Sequence, residues 1–575
     1  MKRYWKYIRP YIQYYILGPC FMMMEVVGDV LLPYMLAKII NQGIAERNVA
    51  YIIKIGAIMG LIAVIMAVGG VLGAWFASKA AMNFGADLRM DLFEKIQQFS
   101  FQNIDNFSTG SLITRLTNDI TQIQNMIMMT LRMCLRSPGI LIGAMVMAFV
   151  ISPKLAAIFI IVLPVLAVLI VVIMRRAFPQ FRTLQEKLDA LNSCIQEGLV
   201  GIRLIKSFVR GDYEEMRFEK RNQQLKEANL TAMKTMLLYT PLMTLALNIT
   251  TVVVVWSGGN MIVAGNMQVG DLTAFTNYIV QIMSSLTMLS IAFLNWARAI
   301  ASFHRVGEVL DEKIDLTDEN AKHKDRAVCE GSVEFQNVSF RYYKNSPEWV
   351  IENISFKLEA GKTLGIIGST GSGKSTLVSM IPRLYDTDEG TVLVDGINVR
   401  DYGLKPLREG IGMVLQNNTL FSGSITENLK WGDEHADEKA VRKAAQNAQA
   451  AGFIDSFKDG YWTRLEQSGN NVSGGQKQRL CIARALLKCP KILILDDSTS
   501  AVDTATERAI REALHSEYKD MTKIIIAQRI RSVMDADEIL VLDNGKTAGF
   551  GTHEQLLADC PVYREIYDVQ NGREE

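Results

Sequence analysis

The chain has 575 residues, of which 49% are hydrophobic and 21% are charged, and its formal net charge is +1. This length exceeds that of one ordinary domain, and the composition is typical of a membrane part joined to a soluble part. The near-zero net charge argues against a nucleic-acid-binding protein, because such proteins usually carry a strong excess of basic residues.

The amino-terminal half predicts a membrane domain. Its first residues, MKRYWKYIRPYIQYY, are basic and aromatic, and they predict an amphipathic helix on the inner leaflet rather than a signal peptide. Basic residues at this end also predict a cytoplasmic amino terminus. Six apolar stretches follow, each able to cross about 30 Å of hydrocarbon once MIMMTLRMCL extends the third. They are centred on Tyr15–Ile39, Ile55–Phe76, Pro138–Ile151, Leu155–Met174, Leu238–Val263 and Ala274–Phe293.

Two pairs of helical arms extend the spans into the cytosol. The first pair turns at Phe101–Gly110 and the second at VRGDY, Val209–Tyr213. An arm of about 25 residues reaches roughly 40 Å beyond the membrane. We expect both turns to contact a cytosolic domain.

Two carboxylates, Glu25 and Asp29, lie one helical turn apart in the first span. Intramembrane carboxylates usually face a cavity or a charged partner. Two interpretations stay open here. The pair attracts a cationic amphiphile, or it pairs with Arg298 or with a polar group of another span.

A polar linker at 306–330 separates the membrane domain, 1–305, from a domain at 331–575 in which short strands alternate with helices. The motif GSTGSGKS follows the strand TLGII and precedes a helix, which is the context of a P-loop. Its backbone N–H groups and lysine bind ATP phosphates, and its last serine binds Mg²⁺. The residues that we assign to this loop are Gly368, Ser369, Thr370, Gly371, Ser372, Gly373, Lys374, Ser375 and Thr376.

Two further motifs follow the P-loop. SGGQ, Ser473–Gln476, precedes a helix whose free N–H groups suit an anion, and ILILDD, Ile492–Asp497, is a buried strand that ends in two aspartates. Together the three motifs resemble the ATP-binding cassette (ABC) transporter family, in particular half-transporter exporters of the multidrug type. The resemblance covers the whole chain. It implies an α-helical membrane domain, of six transmembrane helices with long cytosolic extensions, joined to an α/β P-loop ATP-binding cassette domain.

The resemblance also implies roles for individual residues. Tyr342 is expected to stack on adenine, and Gln416 and Asp496 to meet Mg²⁺ together with Ser375. In this family two such domains close head to tail, so that each ATP lies between one P-loop and the partner's SGGQ. The residues that would close over the partner's ATP are Ser473, Gly474, Gly475 and Gln476, with Asp503 in the loop Ser500–Asp503 that crosses to the partner.

Two positions depart from the family pattern. The residue after Asp496 is normally a catalytic glutamate and here is Asp497, and a histidine that meets the γ-phosphate is replaced by Gln528. Losing one methylene retracts the carboxylate by about 1 Å, and a misplacement of this size can cost on the order of 10²-fold in rate. Glutamine cannot carry the imidazolium charge. The chain's own site is therefore predicted to be degenerate, whereas its SGGQ is intact.

These features predict one subunit of a heterodimeric, ATP-driven exporter in the cytoplasmic membrane of a bacterium. The expected cofactors are ATP and Mg²⁺. The expected partners are a second ABC half-transporter, the lipid bilayer and an amphipathic drug or lipid taken from the cytoplasm or inner leaflet, and no nucleic acid. The alternatives are a homodimer, an exporter of one specific peptide or lipid, and a regulatory subunit that binds ATP without driving transport.

Overall fold

The computed structural model describes residues 2–344 and 346–571. The chain divides into two compact units. The first comprises Met1–Gln97 and Gly110–Asp311, and the second comprises Gln98–Thr109 and Glu312–Glu575. The first predicted cytosolic turn therefore belongs largely to the second unit. The domain limits at 305 and 330 stay predictions.

Long α-helices form the first unit, because a backbone inside a bilayer has to satisfy its hydrogen bonds internally. Two of them continue through internal prolines, at Pro19 and Pro33 in one and at Pro164 and Pro179 in the other. The first twelve α-helices of the chain are α1 (Trp5–Ile8), α2 (Ile12–Lys38), α3 (Val49–Gln97), α4 (Phe101–Asp105), α5 (Thr109–Thr114), α6 (Ile120–Met133), α7 (Arg136–Ile151), α8 (Pro153–Val200), α9 (Ile202–Ser207), α10 (Gly211–Leu237), α11 (Tyr239–Val263) and α12 (Val269–Asp311). Helix α4 lies in the second unit. Helix α12 enters the predicted linker because Val306 and Val309 are fully buried, which continues its apolar face.

Five helical segments among the described residues are long and apolar enough to cross a membrane. They are Trp5–Ile44, Val49–Gln97, Thr109–Ile151, Pro153–Val200 and Gly211–Val263. The sixth predicted span falls within α12, where several side chains lie outside the described residues.

The third span contains a break. The predicted extension by MIMMTLRMCL is present as α6, but α6 ends at Met133 and α7 begins at Arg136. Pro138 explains this break, because a proline supplies no N–H for the carbonyl four residues earlier and its ring collides with that carbonyl. The break thus falls at Cys134 and Leu135.

Among its described residues, the second unit is an α/β structure with three sheets. Its strands are β1 (Val333–Phe340), β2 (Ile351–Leu358), β3 (Thr363–Gly368), β4 (Glu389–Val394), β5 (Ile397–Asn398), β6 (Ile411–Val414), β7 (Gly423–Ser424), β8 (Arg464–Leu465), β9 (Ile492–Asp496), β10 (Thr522–Ile526), β11 (Glu538–Asp543) and β12 (Lys546–Gly551). Its remaining helices are α13 (Lys374–Ser379), α14 (Leu404–Glu409), α15 (Ile425–Leu429), α16 (Glu438–Asn447), α17 (Ala451–Ser456), α18 (Gly474–Leu487), α19 (Thr504–Glu517), α20 (His553–Asp559) and α21 (Pro561–Asn571).

The largest sheet positions the functional residues. Its strand order is β12-β11-β3-β10-β9-β6, with β12 antiparallel at one edge and the other five strands parallel. Every residue of β9 is buried, as expected for a parallel strand covered on both faces. Because β3, β10 and β9 are neighbours, the P-loop, Gln528 and the two aspartates all follow adjacent strand ends. Ligands of α/β sheets bind at this carboxyl edge.

Candidate nucleotide site

The P-loop joins β3 to α13. Gly371 and Gly373 have φ angles of 85° and 90°, a region that glycine enters without strain. The Lys374 ammonium donates hydrogen bonds to the carbonyl oxygens of Gly368 at 2.9 Å and Ser369 at 2.7 Å. Burial lowers the pKa of Lys374, although the charges of Asp497 and Asp496 oppose this shift. The loop therefore holds a cation where phosphate oxygens would arrive.

A cavity of about 320 Å³ lies beside this loop. Its volume is at the lower end of the range of about 300–1,000 Å³ for small-molecule sites. Its lining consists of Tyr342, Val350, Thr370, Gly371, Ser372, Gly373, Lys374, Ser375, Thr376, Gln416, Asp496, Asp497, Ile526 and Gln528. The residues from the P-loop, Tyr342, Gln416, both aspartates and Gln528 are thus brought together.

The residues that could hold Mg²⁺ lie at one side of the cavity. The Ser375 hydroxyl donates a hydrogen bond of 2.9 Å to Oδ1 of Asp496, and Gln416 lines the same space. Burial raises the pKa of Asp496, and the neighbouring charge of Asp497 adds to this shift. A bound divalent cation would favour the ionised carboxylate. Hydroxyl, carboxylate and amide oxygens are the hard ligands that Mg²⁺ prefers, so this donor set fits the ion.

Tyr342 lies at the edge of the cavity. Its hydroxyl shares a hydrogen bond of 2.8 Å with the Thr376 hydroxyl, and its ring meets that of Tyr385 edge-on at 5.3 Å between centroids. These contacts hold the ring in place, with 37% of the residue exposed. A fixed, half-exposed aromatic ring suits the stacking role that we expect for it.

We expect Tyr342→Ala to weaken ATP binding by about threefold to tenfold, since an aromatic stacking pair contributes about 0.5–1.5 kcal/mol. Tyr342→Phe keeps the ring and loses the hydrogen bond to Thr376, and it should bind ATP nearly as well as the unchanged chain. Equilibrium binding of a fluorescent ATP analogue to the full-length variants measures both. Equal weakening in the two variants would assign the effect to the hydroxyl and contradict stacking.

Asp497 and Gln528 contact each other. The side-chain amide of Gln528 donates a hydrogen bond of 2.8 Å to Oδ2 of Asp497. Asp497 has a φ angle of 47°, and aspartate is one of the few non-glycine residues that tolerate this left-handed region. Burial raises the pKa of Asp497, and the hydrogen bond from Gln528 offsets part of this shift. The two departures from the family pattern therefore form one contact in the cavity.

The SGGQ motif lies outside this cavity, at the start of α18. Its serine and glutamine form a capping box: the backbone N–H of Gln476 donates to Oγ of Ser473 at 3.3 Å, and that of Ser473 donates to Oε1 of Gln476 at 2.9 Å. Such a box fixes the helix start. Asp503 caps α19 in a similar way, through the Thr506 N–H at 3.0 Å.

The sequence did not predict one group of functional candidates, the residues that hold the first cytosolic turn on the second unit. Tyr385 donates a hydrogen bond of 2.8 Å from its hydroxyl to Oδ2 of Asp105 in α4, and its ring packs on Phe101 at 5.9 Å between centroids. Burial raises the pKa of Tyr385, and the Asp105 carboxylate raises it further, so the phenol keeps the proton that it donates. Asn103 of α4 also donates hydrogen bonds to Glu312 and Lys313. The first cytosolic turn thus packs on the nucleotide unit.

Comparison with known families and proteins identifies the chain. The model of the ABC transporter transmembrane region matches residues 15–286, and that of the ABC transporter family matches residues 351–500. Bacillus subtilis YfiB, an uncharacterised ABC transporter ATP-binding protein, is 39% identical over 100% of this chain and 99% of its own length. The chain belongs to the ABC transporter family. It is an exporter half-transporter of that family, with a membrane domain and an ATP-binding domain in one polypeptide.

Other relatives support the same membership. The ABC transporter Rv1273c of Mycobacterium tuberculosis is 37% identical over 98% of this chain and 97% of its own length. YgaD of Bacillus subtilis, whose name suggests multidrug export, is 33% identical over 99% of both chains. A bacterial Atm1-family ABC exporter with ATP bound shares the fold, with a TM-score of 0.81, 24% identity and 98% coverage of both chains.

This ABC transporter is therefore a multi-pass membrane protein that hydrolyses ATP to drive export, with its ATP-binding domain in the cytoplasm. ABC exporters act as dimers in the membrane. Within the chain, a cation, Lys374, lines the cavity where ATP phosphates are expected to bind. Catalysis of phosphoryl transfer consists almost entirely of such positioning and electrostatic stabilisation.

Proposed function

We propose that this chain is one subunit of a heterodimeric exporter in which its own P-loop site hydrolyses ATP slowly. Its SGGQ motif would complete a faster site on the partner's P-loop. The observation that supports this proposal is the hydrogen bond between Gln528 and Asp497, because it occupies the two side chains that would have to activate water and sense the γ-phosphate.

Three properties of Asp497 and Gln528 disfavour ATP hydrolysis. Aspartate is one methylene shorter than glutamate, so its carboxylate lies about 1 Å farther from an attacking water, at a cost on the order of 10²-fold. Oδ2 of Asp497 already accepts a hydrogen bond from Gln528. Gln528 has no ionisable group, so it offers neither positive charge nor proton exchange to the γ-phosphate. Nothing in these changes prevents ATP and Mg²⁺ from binding at Lys374, Ser375, Gln416 and Asp496.

The partner chain should have complementary properties. The capping box of Ser473 and Gln476 leaves this chain's SGGQ motif well formed. A chain with a slow site and an intact SGGQ motif is useful to a partner with a complete P-loop, a glutamate and a histidine. We expect the partner's own SGGQ position to be altered.

An exposed apolar surface on the first unit supports assembly with a second chain. It lies at the second cytosolic turn, where Val200, Phe208 and Val209 are 82%, 70% and 88% exposed. Exposed apolar patches of this kind mark protein or membrane interaction sites. We propose that this turn docks on the nucleotide-binding domain of the partner.

The substrate is proposed to be amphipathic, a drug or a lipid that leaves the cytoplasm or the inner leaflet. The name of YgaD supports multidrug export among relatives of this length. The carboxylates Glu25 and Asp29 in the first span support a polar recognition element inside the membrane.

The chain purified without a second subunit should show at least about tenfold less ATPase activity than the complete complex. Both sites of a homodimer would carry Asp497 and Gln528, each with the cost in rate given above. Steady-state phosphate release from both preparations measures the difference. Robust turnover by the unmodified single chain would favour the homodimer.

A restored variant sharpens this test. Asp497→Glu combined with Gln528→His should raise the activity of the single chain, since the intact SGGQ of a second copy would complete each repaired site. Adding Lys374→Ala to this variant provides the control, and it should remove the regained activity.

A further inference from the structure

A charged cavity of about 200 Å³ lies inside the first unit. Helices of the first three predicted spans surround it. Its lining consists of Met22, Glu25, Gly70, Arg132, Met133 and Arg136. At a rise of 1.5 Å per residue, Asp29 and Arg136 lie roughly 14 Å and 22 Å from the outer ends of α2 and α7. In a hydrocarbon core about 30 Å thick, these depths place Asp29 near the middle and Arg136 roughly 8 Å from the inner face.

An arginine joins the two carboxylates of the first span. Nη2 of Arg136 lies 2.9 Å from Oε1 of Glu25 and 3.3 Å from Oδ2 of Asp29. The carboxylates thus pair with a group of another span, one of the two open interpretations, while the Arg298 side chain lies outside the described residues. The second oxygen of each carboxylate accepts no hydrogen bond within the described part of the chain.

The two arginines of this cavity also have N–H groups that donate no hydrogen bond within the described part of the chain. Arg132 lines the cavity, and among the described residues it has no carboxylate partner. Nε of Arg136 is buried without an acceptor within the described part of the chain. An ion pair that only joined α2 to α7 would need Arg136 and one carboxylate. Such a pair would leave Arg132 and the second carboxylate without a role.

The helix break between α6 and α7 lies at the same place. Arg132 belongs to the last turn of α6 and Arg136 is the first residue of α7, so both guanidinium groups flank Cys134 and Leu135. Discontinuous membrane helices that carry polar groups at their interruption are typical of substrate sites in transporters. The break, the cavity and the four charges are independent observations that indicate one site.

The size and charge of the cavity restrict its ligand. A volume of about 200 Å³ is below the range of about 300–1,000 Å³ that encloses drug-sized molecules, so a small head group fits and a bulky drug does not. Three charged residues line the cavity, Glu25, Arg132 and Arg136. Asp29 lies one turn from Glu25 and pairs with Arg136, so the four formal charges balance. Met22 and Met133 add an adaptable apolar wall.

We propose that this cavity binds a zwitterionic head group, with its ammonium at Glu25 and Asp29 and its phosphate or carboxylate at Arg132 and Arg136. The apolar part of the ligand would extend past the methionines towards the bilayer. This inference rests on the proposed export of amphipathic compounds and narrows their class. The head group could belong to a membrane lipid or to a soluble molecule with the same charges.

Equilibrium lipid binding without nucleotide tests the site independently of the ATPase asymmetry. The full-length chain in detergent is titrated with phosphatidylethanolamine, phosphatidylglycerol and free phosphoethanolamine, and bound molecules are counted by native mass spectrometry. We expect phosphatidylethanolamine to bind about tenfold more tightly than phosphatidylglycerol, because only its head group can make charge-assisted contacts of both signs. Arg132→Gln, at an unpaired position, should weaken the binding of phosphatidylethanolamine about tenfold, because it removes a contact to the phosphate without disturbing the ion pairs of Arg136.

Arg175→Gln is the matched control, because Arg175 is an exposed arginine of α8 outside the cavity. It should leave the affinity for phosphatidylethanolamine unchanged. Tight binding or competition by free phosphoethanolamine would identify a soluble source, and binding of the lipid alone would identify a bilayer source. Equal binding of both lipids without binding of phosphoethanolamine, or an affinity for phosphatidylethanolamine that survives Arg132→Gln, would overturn the proposal.

Discussion

Ser473→Arg should abolish most ATPase activity of the assembled exporter. The serine hydroxyl and the first N–H groups of α18 are expected to meet the γ-phosphate of the ATP held by the partner's P-loop. A bulky cation at the helix start breaks the capping box with Gln476 and fills the space of the phosphate. Loss of one such preorganised donor costs on the order of 10²–10³ in rate, and phosphoryl transfer relies on these donors almost entirely.

Asp497→Asn, in contrast, should change the activity of the same complex by less than about threefold, since a site that is slowed on the order of 10²-fold, as we propose for this one, adds little flux. Steady-state ATPase measurements on both variants in the partnered complex provide the comparison. Ser456→Arg, at the exposed end of α17, controls for the added bulk and charge. If Asp497→Asn proves as inactive as Ser473→Arg, the chain's own site hydrolyses ATP and the asymmetric assignment is wrong.

Replacing residues 104–107 with glycine and serine should stop transport and leave ATP binding unchanged. The change removes Asp105, the hydrogen-bond acceptor of Tyr385, and it unfolds the end of α4. The P-loop and its lysine are untouched, so nucleotide affinity should hold. Uptake of a fluorescent amphiphile into inside-out vesicles, together with binding of a labelled ATP analogue, measures the two effects.

Tyr385→Phe separates the hydrogen bond from the ring contact with Phe101, and it should impair transport less than the loop replacement does. A shorter glycine and serine replacement, of the three exposed residues 433–435, provides the control. Normal substrate-stimulated turnover in the variant at residues 104–107 would contradict a role for the first cytosolic turn in coupling ATP hydrolysis to transport.

The P-loop is recognisable from the amino-acid sequence alone, because its chemistry depends on residues that are adjacent in the chain. GSTGSGKS carries its turn glycines, its lysine and its flanking strand and helix within one short segment. The neighbouring position of β3, β10 and β9 could be expected only through the family resemblance. Strand order arises from contacts between distant segments, which no local pattern contains.

Side-chain partners that lie far apart along the chain could not be predicted from the sequence. Tyr385 and Asp105 are separated by 280 positions, and Arg136 and Glu25 by 111. Helical periodicity states which face a residue occupies but not the rotation of one helix against another. The break at Cys134 is different, because it follows from a local feature of the sequence. Pro138 cannot supply an N–H to the carbonyl four residues earlier, whereas hydrophobicity alone defines a span without regard to proline.

The hydrogen bond between Gln528 and Asp497 also affects how this protein could evolve. A glutamate alone at position 497 would meet the amide of Gln528 where the family pattern has an imidazole, and a histidine alone at position 528 would meet a shortened carboxylate. Neither single reversion restores the activated water, so neither brings the full benefit that selection could retain. Contacting residues show non-additive effects of this kind. If the exporter is the heterodimer that we propose, this contact would hinder reversion of the slow site, and the two subunits would keep different roles in ATP hydrolysis.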